Sequence, residues 1–398
     1  MTGRVFFHIG APKTGTTFLQ SVLLSNRDRL KDKGILYVGA RWQEHVNANM
    51  AVRQDPRLAR HSAEAQRGWQ RFVEAVHAWP GQTAIISHEH FGAASQEQAA
   101  RAIADLAPAE VHLVFTARDF ARQLPAVWQE NLKWGLTTPL SEWEPLDPGG
   151  PQNLWSWRTI DPVGILKRWQ GDLPPSQVHV VTMPKSRATP SSLWDRFAAV
   201  CDIPPEVCDL DSAQANPTMG AAESELMRRV VSRAGEPVKD TKETGRWVRH
   251  YLTQDVLAPR NGRKLSLSDA RVEPLMERAK ATVAFVQERG YDVAGDLDDL
   301  LPTPPATSAD QPDLVSDSEL LEAATDSMAR MLATVRERTL ERDELREKLR
   351  QSRRRVRAAP GEPRPVKEAH PRQLLPRVRR RVAQVPGARR LRDLLLRR

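Results

Sequence analysis

The 398 residues are enough to bury at least one large core, and a composition of 40% hydrophobic and 27% charged residues is that of a globular protein. No apolar run approaches the roughly 18 residues that a membrane-spanning helix needs, and the apolar run at residues 5–7 is too short for the core of a signal peptide. The net charge of +9 comes from the C-terminal end, where residues 350–398 carry 17 Lys and Arg against 3 acidic residues and the rest of the chain sums to −5, so it gives no support for a nucleic-acid-binding core.

The first two hundred residues alternate apolar strands with amphipathic helices. Strands are predicted at residues 4–9, 35–38, 84–87, 111–116 and 178–182, and helices after the first strand and at residues 66–78 and 96–106. This alternation predicts an α/β protein with a P-loop-like three-layer fold, in which helices cover both faces of a central parallel sheet. Because ligands bind at the carboxyl ends of such strands, residues 8–17, 87–91 and 117–122 are expected on one rim.

The chain changes character beyond this part. Residues 134–157 contain four Trp among Pro and Gly and are interpreted as an irregular excursion over the rim, and helical periodicity dominates residues 211–297. We therefore predict four parts. They are an α/β domain at residues 1–300, a linker at 301–315, a helical segment at 316–358 and a basic Pro- and Arg-rich tail at 359–398.

The helical segment and the tail each have more than one interpretation. Leu321, Met328, Val335 and Leu349 repeat at multiples of seven positions, which indicates a short coiled coil and self-association through residues 316–358, although arginines that interrupt the repeat are typical of a solvated single helix. The tail is interpreted as a disordered solubilising extension or as a segment that lies on an anionic membrane surface. Nucleic-acid binding is disfavoured because the tail contains no interleaved aromatic residues.

The sequence predicts a cytoplasmic protein, peripheral to the membrane if the tail binds lipid. Cys201 and Cys208 are seven positions apart with no histidine pair nearby, so we interpret both as buried thiols and predict no bound metal. A reducing compartment is the default for such cysteines.

The stretch HIGAPKTGTT near the N-terminus resembles a phosphate-binding loop with a displaced lysine. Gly10 and Gly15 keep the GxxxxG spacing of a Walker loop, but Thr16 stands where the Walker lysine belongs and Lys13 lies inside the loop. Glycines let the backbone approach an anion closely, and amide groups at a helix N-terminus point toward negative charge. Lys13 adds a cation, and Thr16 and Thr17 add hydroxyl donors in the first helical turn, so the loop is predicted to bind a phosphate or a phosphate-like group.

Two segments of the chain carry a family resemblance. PKTGTTFLQ at residues 12–20 resembles the 5′-phosphosulfate-binding loop of sulfotransferases that use 3′-phosphoadenosine 5′-phosphosulfate (PAPS), and VFTARDFARQLPAVWQEN at residues 114–131 resembles their 3′-phosphate-binding segment. The resemblance extends over about residues 3–300 and is closer to the heparan-sulfate branch than to the cytosolic phenol and steroid branch. It implies metal-free sulfuryl transfer from PAPS to a hydroxyl or amine of a carbohydrate, lipid or other small metabolite.

The resemblance also implies which residues bind the donor. These are Gly10, Pro12, Lys13, Thr14, Gly15, Thr16, Thr17, Arg118 and Arg122. Lys13 would contact the bridging and 5′-phosphate oxygens and stabilise the leaving group, while Arg118 would contact the 3′-phosphate. Ala126 stands where the family has a phosphate-binding Ser, and Arg122, one turn after Arg118, is expected to compensate as a second cation.

A hydroxyl or amine acceptor also needs a general base. His88 lies where the resemblance places the family's base, and Glu89 is its neighbour; an imidazole or a partly desolvated carboxylate can take the proton. Glu44 and His45 are rival candidates, because RWQEHVNAN resembles the carboxylate-bearing segment of the heparan-type enzymes, and His90 is a further one. The sequence leaves this choice open.

Two other functions stay as alternatives. A P-loop kinase or NTPase with a displaced lysine predicts Mg²⁺-dependent ATP binding, but the chain lacks both a Walker lysine and a clear Walker B acid. A non-catalytic adaptor would act through the C-terminal helix and the basic tail, and Ala126 would then mark a decayed nucleotide site.

Overall fold

The computed structural model describes residues 2–146, 154–185, 191–211, 219–235, 241–260, 262–303 and 314–358. Six strands form one sheet in these residues: β1 (Arg4–Gly10), β2 (Ile35–Tyr37), β3 (Thr83–Ser87), β4 (Glu110–Ala117), β5 (Val178–Thr182) and β6 (Asp292–Ala294). Their order is β2-β3-β1-β4-β5-β6, and every neighbouring pair is parallel. The predicted α/β class with a central parallel sheet is confirmed.

Helices connect and follow the strands. The α-helices are α1 (Thr16–Ser25), α2 (Arg27–Asp32), α3 (Trp42–Val52), α4 (Ala63–Gln66), α5 (Gly68–Ala78), α6 (Gln96–Ala104), α7 (Phe120–Leu132), α8 (Trp157–Ile160), α9 (Pro162–Gln170), α10 (Ser191–Val200), α11 (Ala221–Ala234), α12 (Thr241–Glu243), α13 (Asp269–Arg289) and α14 (Asp317–Ala358). Short 3₁₀ helices lie at Pro56–Arg60, Glu89–Ala93, Pro175–Gln177, Ala258–Arg260 and Leu297–Leu300, and a π-helix covers Thr244–Leu257.

Alternation along the strands builds two cores, one on each face of the sheet. In β1, Val5 and Phe7 pack into a core with α3, α5, α6 and α9, whereas Phe6 points to the other face and packs with α1, α2 and α10. Because successive side chains of a strand point to opposite faces, every strand with apolar residues on both faces must be covered on both. The result is the predicted three-layer arrangement.

A third core lies around α7 and the helices between β5 and β6 in the chain. Trp128 of α7 is fully buried in this core, together with side chains of α11, the π-helix and α13. Arg271 of α13 donates hydrogen bonds to the Leu140 and Trp143 carbonyl oxygens and thereby fixes the first part of the irregular excursion. Residues 147–153 of that excursion lie outside the described residues.

The structure refines one sequence prediction and confirms another. Helical periodicity dominates residues 211–297, as predicted, but the region also contains β6, which follows α13 after the left-handed residue Gly290 and adds a sixth strand beside β5. The helical segment predicted at 316–358 is confirmed as α14. The chain divides into two compact units, Met1–Met331 and Leu332–Arg398. The basic tail lies outside the described residues.

Cys201 and Cys208 are both unpaired and buried, as predicted, in the core between the sheet and α10. Burial raises the pKa of each thiol above its usual value, so both are protonated and unreactive at neutral pH. In the part of the chain that the structure describes, no helix combines the length and the apolar composition needed to cross a membrane.

Candidate functional site

Two glycines shape the loop between β1 and α1. Gly10 has a φ of 137°, and a Cβ atom there would lie 2.9 Å from the Glu89 carbonyl oxygen, so no side chain fits. Gly15, with a φ of 88°, is the N-cap of α1 and supplies no side-chain cap to its first amide groups. Lys13 is also left-handed (φ 67°), which costs a non-glycine residue on the order of 1 kcal/mol and is typical of ligand-binding sites. The loop therefore has the amide groups that an anion requires.

The segment that follows β4 holds this loop in place. Arg118 donates a hydrogen bond from Nη1 to the Lys13 carbonyl oxygen at 3.1 Å, and Gln123 of α7 donates from Nε2 to the Pro12 carbonyl oxygen at 2.8 Å. Arg118 and Lys13 are separated by 105 residues in the chain. The structure thus brings the guanidinium group of Arg118 to the backbone of Lys13 at the carboxyl ends of neighbouring strands.

The threonines of the loop have different surroundings. The Thr14 hydroxyl is buried and lies 2.6 Å from the Ala11 carbonyl oxygen and 2.5 Å from Thr116 Oγ1, so its hydrogen-bonding capacity is used inside the protein. Thr16 is buried in the first turn of α1, whereas Thr17 beside it is exposed. Of the three side chains, Thr17 is the one that is exposed to solvent.

The ammonium group of Lys13 is held by a carboxylate that sequence reasoning did not identify. Lys13 Nζ lies 2.5 Å from Glu130 Oε1, and Lys133 Nζ lies 2.6 Å from the same oxygen. The exposed fractions are 21% for the Lys13 side chain and 6% for that of Glu130. Burial lowers the pKa of Lys13, although the carboxylates of Glu130 and Glu89 act in the opposite direction. Burial also disfavours the charged form of Glu130, but the two lysines outweigh it and bring the pKa of Glu130 to about 2.

One pattern in the sequence could have identified Glu130. Gln123 and Glu130 are seven positions apart, so they occupy the same face of α7 two turns from each other. Gln123 contacts the loop backbone, and Glu130 contacts the loop lysine. A polar pair with this spacing on the helix that follows Arg118 therefore indicates the helix face that lies against the loop.

Arg122 has structural partners of its own. Its Nε donates a hydrogen bond to the Asp119 carboxylate, and its Nη1 lies 3.0 Å from the Pro184 carbonyl oxygen and 3.1 Å from that of Lys185, just beyond β5. Asp119 in turn caps α7 by accepting a hydrogen bond from the Arg122 amide at 2.9 Å. Ala126 is half-buried on the same helix and supplies no hydroxyl group. A phosphate-binding role for Arg122 remains a prediction.

His88 follows β3 directly and is buried, with one ring nitrogen occupied. Its Nδ1 accepts a hydrogen bond from the His90 amide at 3.1 Å, so the neutral ring carries its proton on Nε2. Burial lowers the pKa of His88 to about 4, which keeps the ring neutral at pH 7. Nε2 is buried and has no hydrogen-bond partner within the described residues. In this arrangement His88 presents a donor, and not a proton acceptor, at Nε2.

Glu89 is the next residue and keeps its charge. Its Oε2 accepts a hydrogen bond from Gln20 Nε2 of α1 at 2.9 Å. Burial opposes ionisation of Glu89, but His88, His90 and the Gln20 hydrogen bond outweigh it, and the pKa of Glu89 is about 2. The side chain is half-buried, and its own backbone carbonyl packs against Gly10. Glu89 is therefore an ionised carboxylate fixed beside the loop.

The two rival base candidates have other contacts. Glu44 accepts a hydrogen bond from the Ala40 amide at 2.8 Å in the first turn of α3. His45 is buried between Tyr37, whose ring stacks on it at 4.9 Å, and Phe72, whose ring meets it edge-on at 5.2 Å. Burial lowers the pKa of His45 to about 3. Glu44 thus bonds to the backbone just before α3 and His45 packs between two aromatic rings, and a catalytic role for either remains a prediction.

Aromatic side chains border this region. The ring of Trp155 lies 5.5 Å from Lys13 Nζ and meets the His90 ring edge-on at 5.1 Å. Trp42 is 52% exposed, and its ring lies 6.3 Å from that of His88. These two tryptophans place apolar faces next to the ionised and hydrogen-bonding groups of the rim. Such a combination is typical of sites that bind small organic molecules.

Among the residues that the structure describes, no group of three or more His, Cys, Asp or Glu side chains has the arrangement of a metal site. The cations near the loop are the side chains of Lys13, Lys133 and Arg118.

Comparisons with known proteins give one distant structural match. No protein-family model matches the chain, and no curated protein matches it. The chain is similar to a solved structure described as the sulfotransferase domain from the curacin biosynthetic pathway, with 12% sequence identity and a TM-score of 0.30. The match covers 62% of this chain and 90% of that domain. A likeness of this degree carries no conclusion about the present chain.

Proposed function

We propose that the chain is a sulfotransferase that moves the sulfuryl group of PAPS to a hydroxyl or amine of a carbohydrate, lipid or other small metabolite. The observation that carries this proposal is the position of Lys13 inside the glycine loop, with Arg118 from the next strand end hydrogen-bonded to the Lys13 carbonyl oxygen. A nucleotide with phosphate groups at both ends of its ribose needs two cationic sites close together, and these side chains supply them.

The loop and the first turn of α1 would hold the phosphosulfate. The amide groups that follow Gly15 have no side-chain cap, and the exposed Thr17 hydroxyl stands among them. Arg118 would take the 3′-phosphate through its guanidinium group, which has five N–H groups and donates one of them to the Lys13 carbonyl oxygen. No Walker lysine is present, which favours a phosphosulfate over a nucleoside triphosphate.

Sulfuryl transfer would proceed by in-line displacement, by analogy with phosphoryl transfer. The acceptor oxygen forms a bond to sulfur while the bond between sulfur and the bridging phosphate oxygen breaks, and adenosine 3′,5′-bisphosphate leaves with that electron pair. Lys13 would leave Glu130 and place its ammonium group at the bridging oxygen, where negative charge develops. The proton of the acceptor would go to a base on the protein.

Glu89 is the base that the geometry favours. It is ionised, half-exposed and oriented by Gln20, whereas Nδ1 of His88 is occupied and Nε2 bears the proton. His88 would then donate from Nε2 to an oxygen of the acceptor or of the transferring group. Trp42 and Trp155 would border the acceptor, which suits a ring or chain with one apolar face and hydroxyl groups at its edge.

Calorimetric titration with adenosine 3′,5′-bisphosphate tests the donor site. We expect the wild type to bind it without Mg²⁺ and the Lys13→Ala and Arg118→Ala variants to bind it at least about tenfold more weakly, since each loses a charge-assisted contact. Lys31→Ala, on the exposed side of α2, is the matched control and should bind like the wild type. A wild type that ignores the bisphosphate, or that binds Mg²⁺–ATP in its place, would contradict the proposal.

A further inference from the structure

A buried histidine links three strands beneath the loop. His8 of β1 is fully buried, with its ring edge-on to Phe197 at 5.3 Å. Its Nδ1 lies 2.8 Å from Ser87 Oγ at the end of β3, and its Nε2 lies 3.2 Å from Thr116 Oγ1 near the end of β4. A polar group can be buried at little cost when it is hydrogen-bonded, and both ring nitrogens of His8 are hydrogen-bonded.

The chain of contacts continues from Thr116 into the loop backbone. Thr116 Oγ1 donates a hydrogen bond to the Gly10 carbonyl oxygen at 2.9 Å and lies 2.5 Å from Thr14 Oγ1. Thr14 Oγ1 is 2.6 Å from the Ala11 carbonyl oxygen. Two consecutive carbonyl groups at the start of the loop are thus held by hydroxyl groups on the inner side.

Counting protons favours one direction for these hydrogen bonds. A carbonyl oxygen only accepts, so Thr116 uses its hydroxyl proton on Gly10, and the single proton of Thr14 has Ala11 and Thr116 as acceptors. The Thr116 oxygen is then free to accept from Nε2–H of His8, while Nδ1 accepts from the Ser87 hydroxyl. A neutral ring with its proton on Nε2 leaves both ring nitrogens hydrogen-bonded, and burial lowers the pKa of His8 to about 4, which keeps it neutral.

We propose that His8 is a positioning residue for the donor loop, acting through Thr116 and Thr14 on the carbonyl groups of Gly10 and Ala11. Holding these carbonyls inward sets the direction in which the following amide groups point and the place where Lys13 leaves the loop. The same ring is bonded to Ser87, the residue before the candidate acceptor-side pair His88–Glu89. This inference rests on the proposed function, because the ligand whose binding it affects is the PAPS donor.

Two conservative substitutions separate positioning from simple packing. A Gln side chain at this position reaches about as far as Nε2 and can keep the hydrogen bond to Thr116, whereas an Asn side chain reaches about as far as Nδ1 and can keep only the bond to Ser87. His179→Gln is the matched control, because His179 lies in the same row of the sheet as His8, with Val114 between them, and it contacts His112 and Asp292 instead of the loop.

The experiment measures bisphosphate affinity by calorimetry and amide hydrogen exchange of the peptide containing the loop. We expect His8→Asn to bind adenosine 3′,5′-bisphosphate about tenfold more weakly and to exchange faster in the loop, and His8→Gln and His179→Gln to stay within about twofold of the wild type. Thr116→Val removes the next hydroxyl group and should weaken binding as His8→Asn does. It replaces His8→Asn in the experiment if that variant does not fold.

Several results would overturn the inference. Equal affinities and equal exchange rates for the Asn and Gln variants would show that the ring only fills space, and the same would follow from a wild-type-like Thr116→Val variant. A wild type that does not bind the bisphosphate would instead contradict the proposed function. The exchange rates need no ligand, so they would then decide the role of His8 in ordering the loop by themselves.

Discussion

The Glu130→Gln substitution distinguishes a loop whose lysine binds an anion from a loop whose lysine makes only structural contacts. The carboxylate holds Lys13 at 2.5 Å and Lys133 at 2.6 Å, so it competes with any anion that Lys13 must reach. The substitution keeps the shape of the side chain and raises the net charge of the three side chains from +1 to +2. We therefore expect the Glu130→Gln variant to bind the donor nucleotide more tightly than the wild type does.

The size of this effect follows from the geometry. Two unit charges about 4 Å apart attract each other by about 4 kcal/mol at an effective dielectric constant of about 20, which suits a pair that is 21% and 6% exposed. When the donor binds, Lys13 exchanges the Glu130 carboxylate for a phosphosulfate oxygen, so most of this energy is recovered in the wild type. Removing the competitor should leave a net gain of about 1–2 kcal/mol, or about 5- to 30-fold in affinity.

Calorimetry with adenosine 3′,5′-bisphosphate measures this change, and thermal unfolding confirms that the variant is folded. The free variant should unfold at a lower temperature, because two neighbouring ammonium groups lose their counter-charge, and the bisphosphate should restore most of the difference. Glu74→Gln, an exposed substitution on α5, is the control for a change of one charge. A folded Glu130→Gln protein with unchanged or weaker binding would refute competition and would indicate that Glu130 orients Lys13 toward the donor.

Three further predictions concern the base, acid stability and the tail. Glu89→Gln should lower kcat by about 10²-fold or more, and the wild type should keep a flat rate between pH 5 and 8, since its Glu89 pKa is about 2; an equal loss of kcat in His88→Gln would remove the distinction between the two residues. Burial lowers the pKa values of His8, His45 and His88 to about 4, 3 and 4. Their neutral forms therefore contribute stability that is complete above about pH 6.5 and falls below that pH by about 1 kcal/mol per residue and pH unit. A melting temperature that stays constant from pH 7 to 5 would contradict this prediction. Removing residues 359–398 should leave turnover of a water-soluble acceptor unchanged. Sedimentation with phosphatidylserine vesicles separates the two interpretations of the tail: a membrane-surface segment predicts that the full chain sediments and the shortened chain does not, and a solubilising extension predicts that neither does.

The parts of the site that follow from local sequence could be predicted. A buried strand, two glycines with fixed spacing and the start of a helix specify the loop within about a dozen residues, and its glycines have the backbone angles that such a loop needs. Arg118 was placed on the same rim because parallel strands end at the same edge of a sheet, and its guanidinium contacts the loop backbone.

Other features depend on packing that no local pattern records. Glu130 and Lys13 are separated by 117 residues, and their contact follows from the packing of α7 against the loop. The proton position on His88 is set by the amide of His90, a detail of one turn of 3₁₀ helix. Strand β6 has three residues, too few to show a period of two, and it is recognised only by its pairing with β5.

The most direct test of the central claim is transfer of labelled sulfuryl from PAPS by the full chain. Incubation with ³⁵S-labelled PAPS and a cell extract, followed by mass spectrometry, should yield sulfated products of hydroxylated or amine-bearing metabolites together with an equal amount of adenosine 3′,5′-bisphosphate. The Lys13→Ala variant should form neither product above background. Absence of any labelled product with the folded wild type, or formation of product that survives Lys13→Ala, would contradict the account.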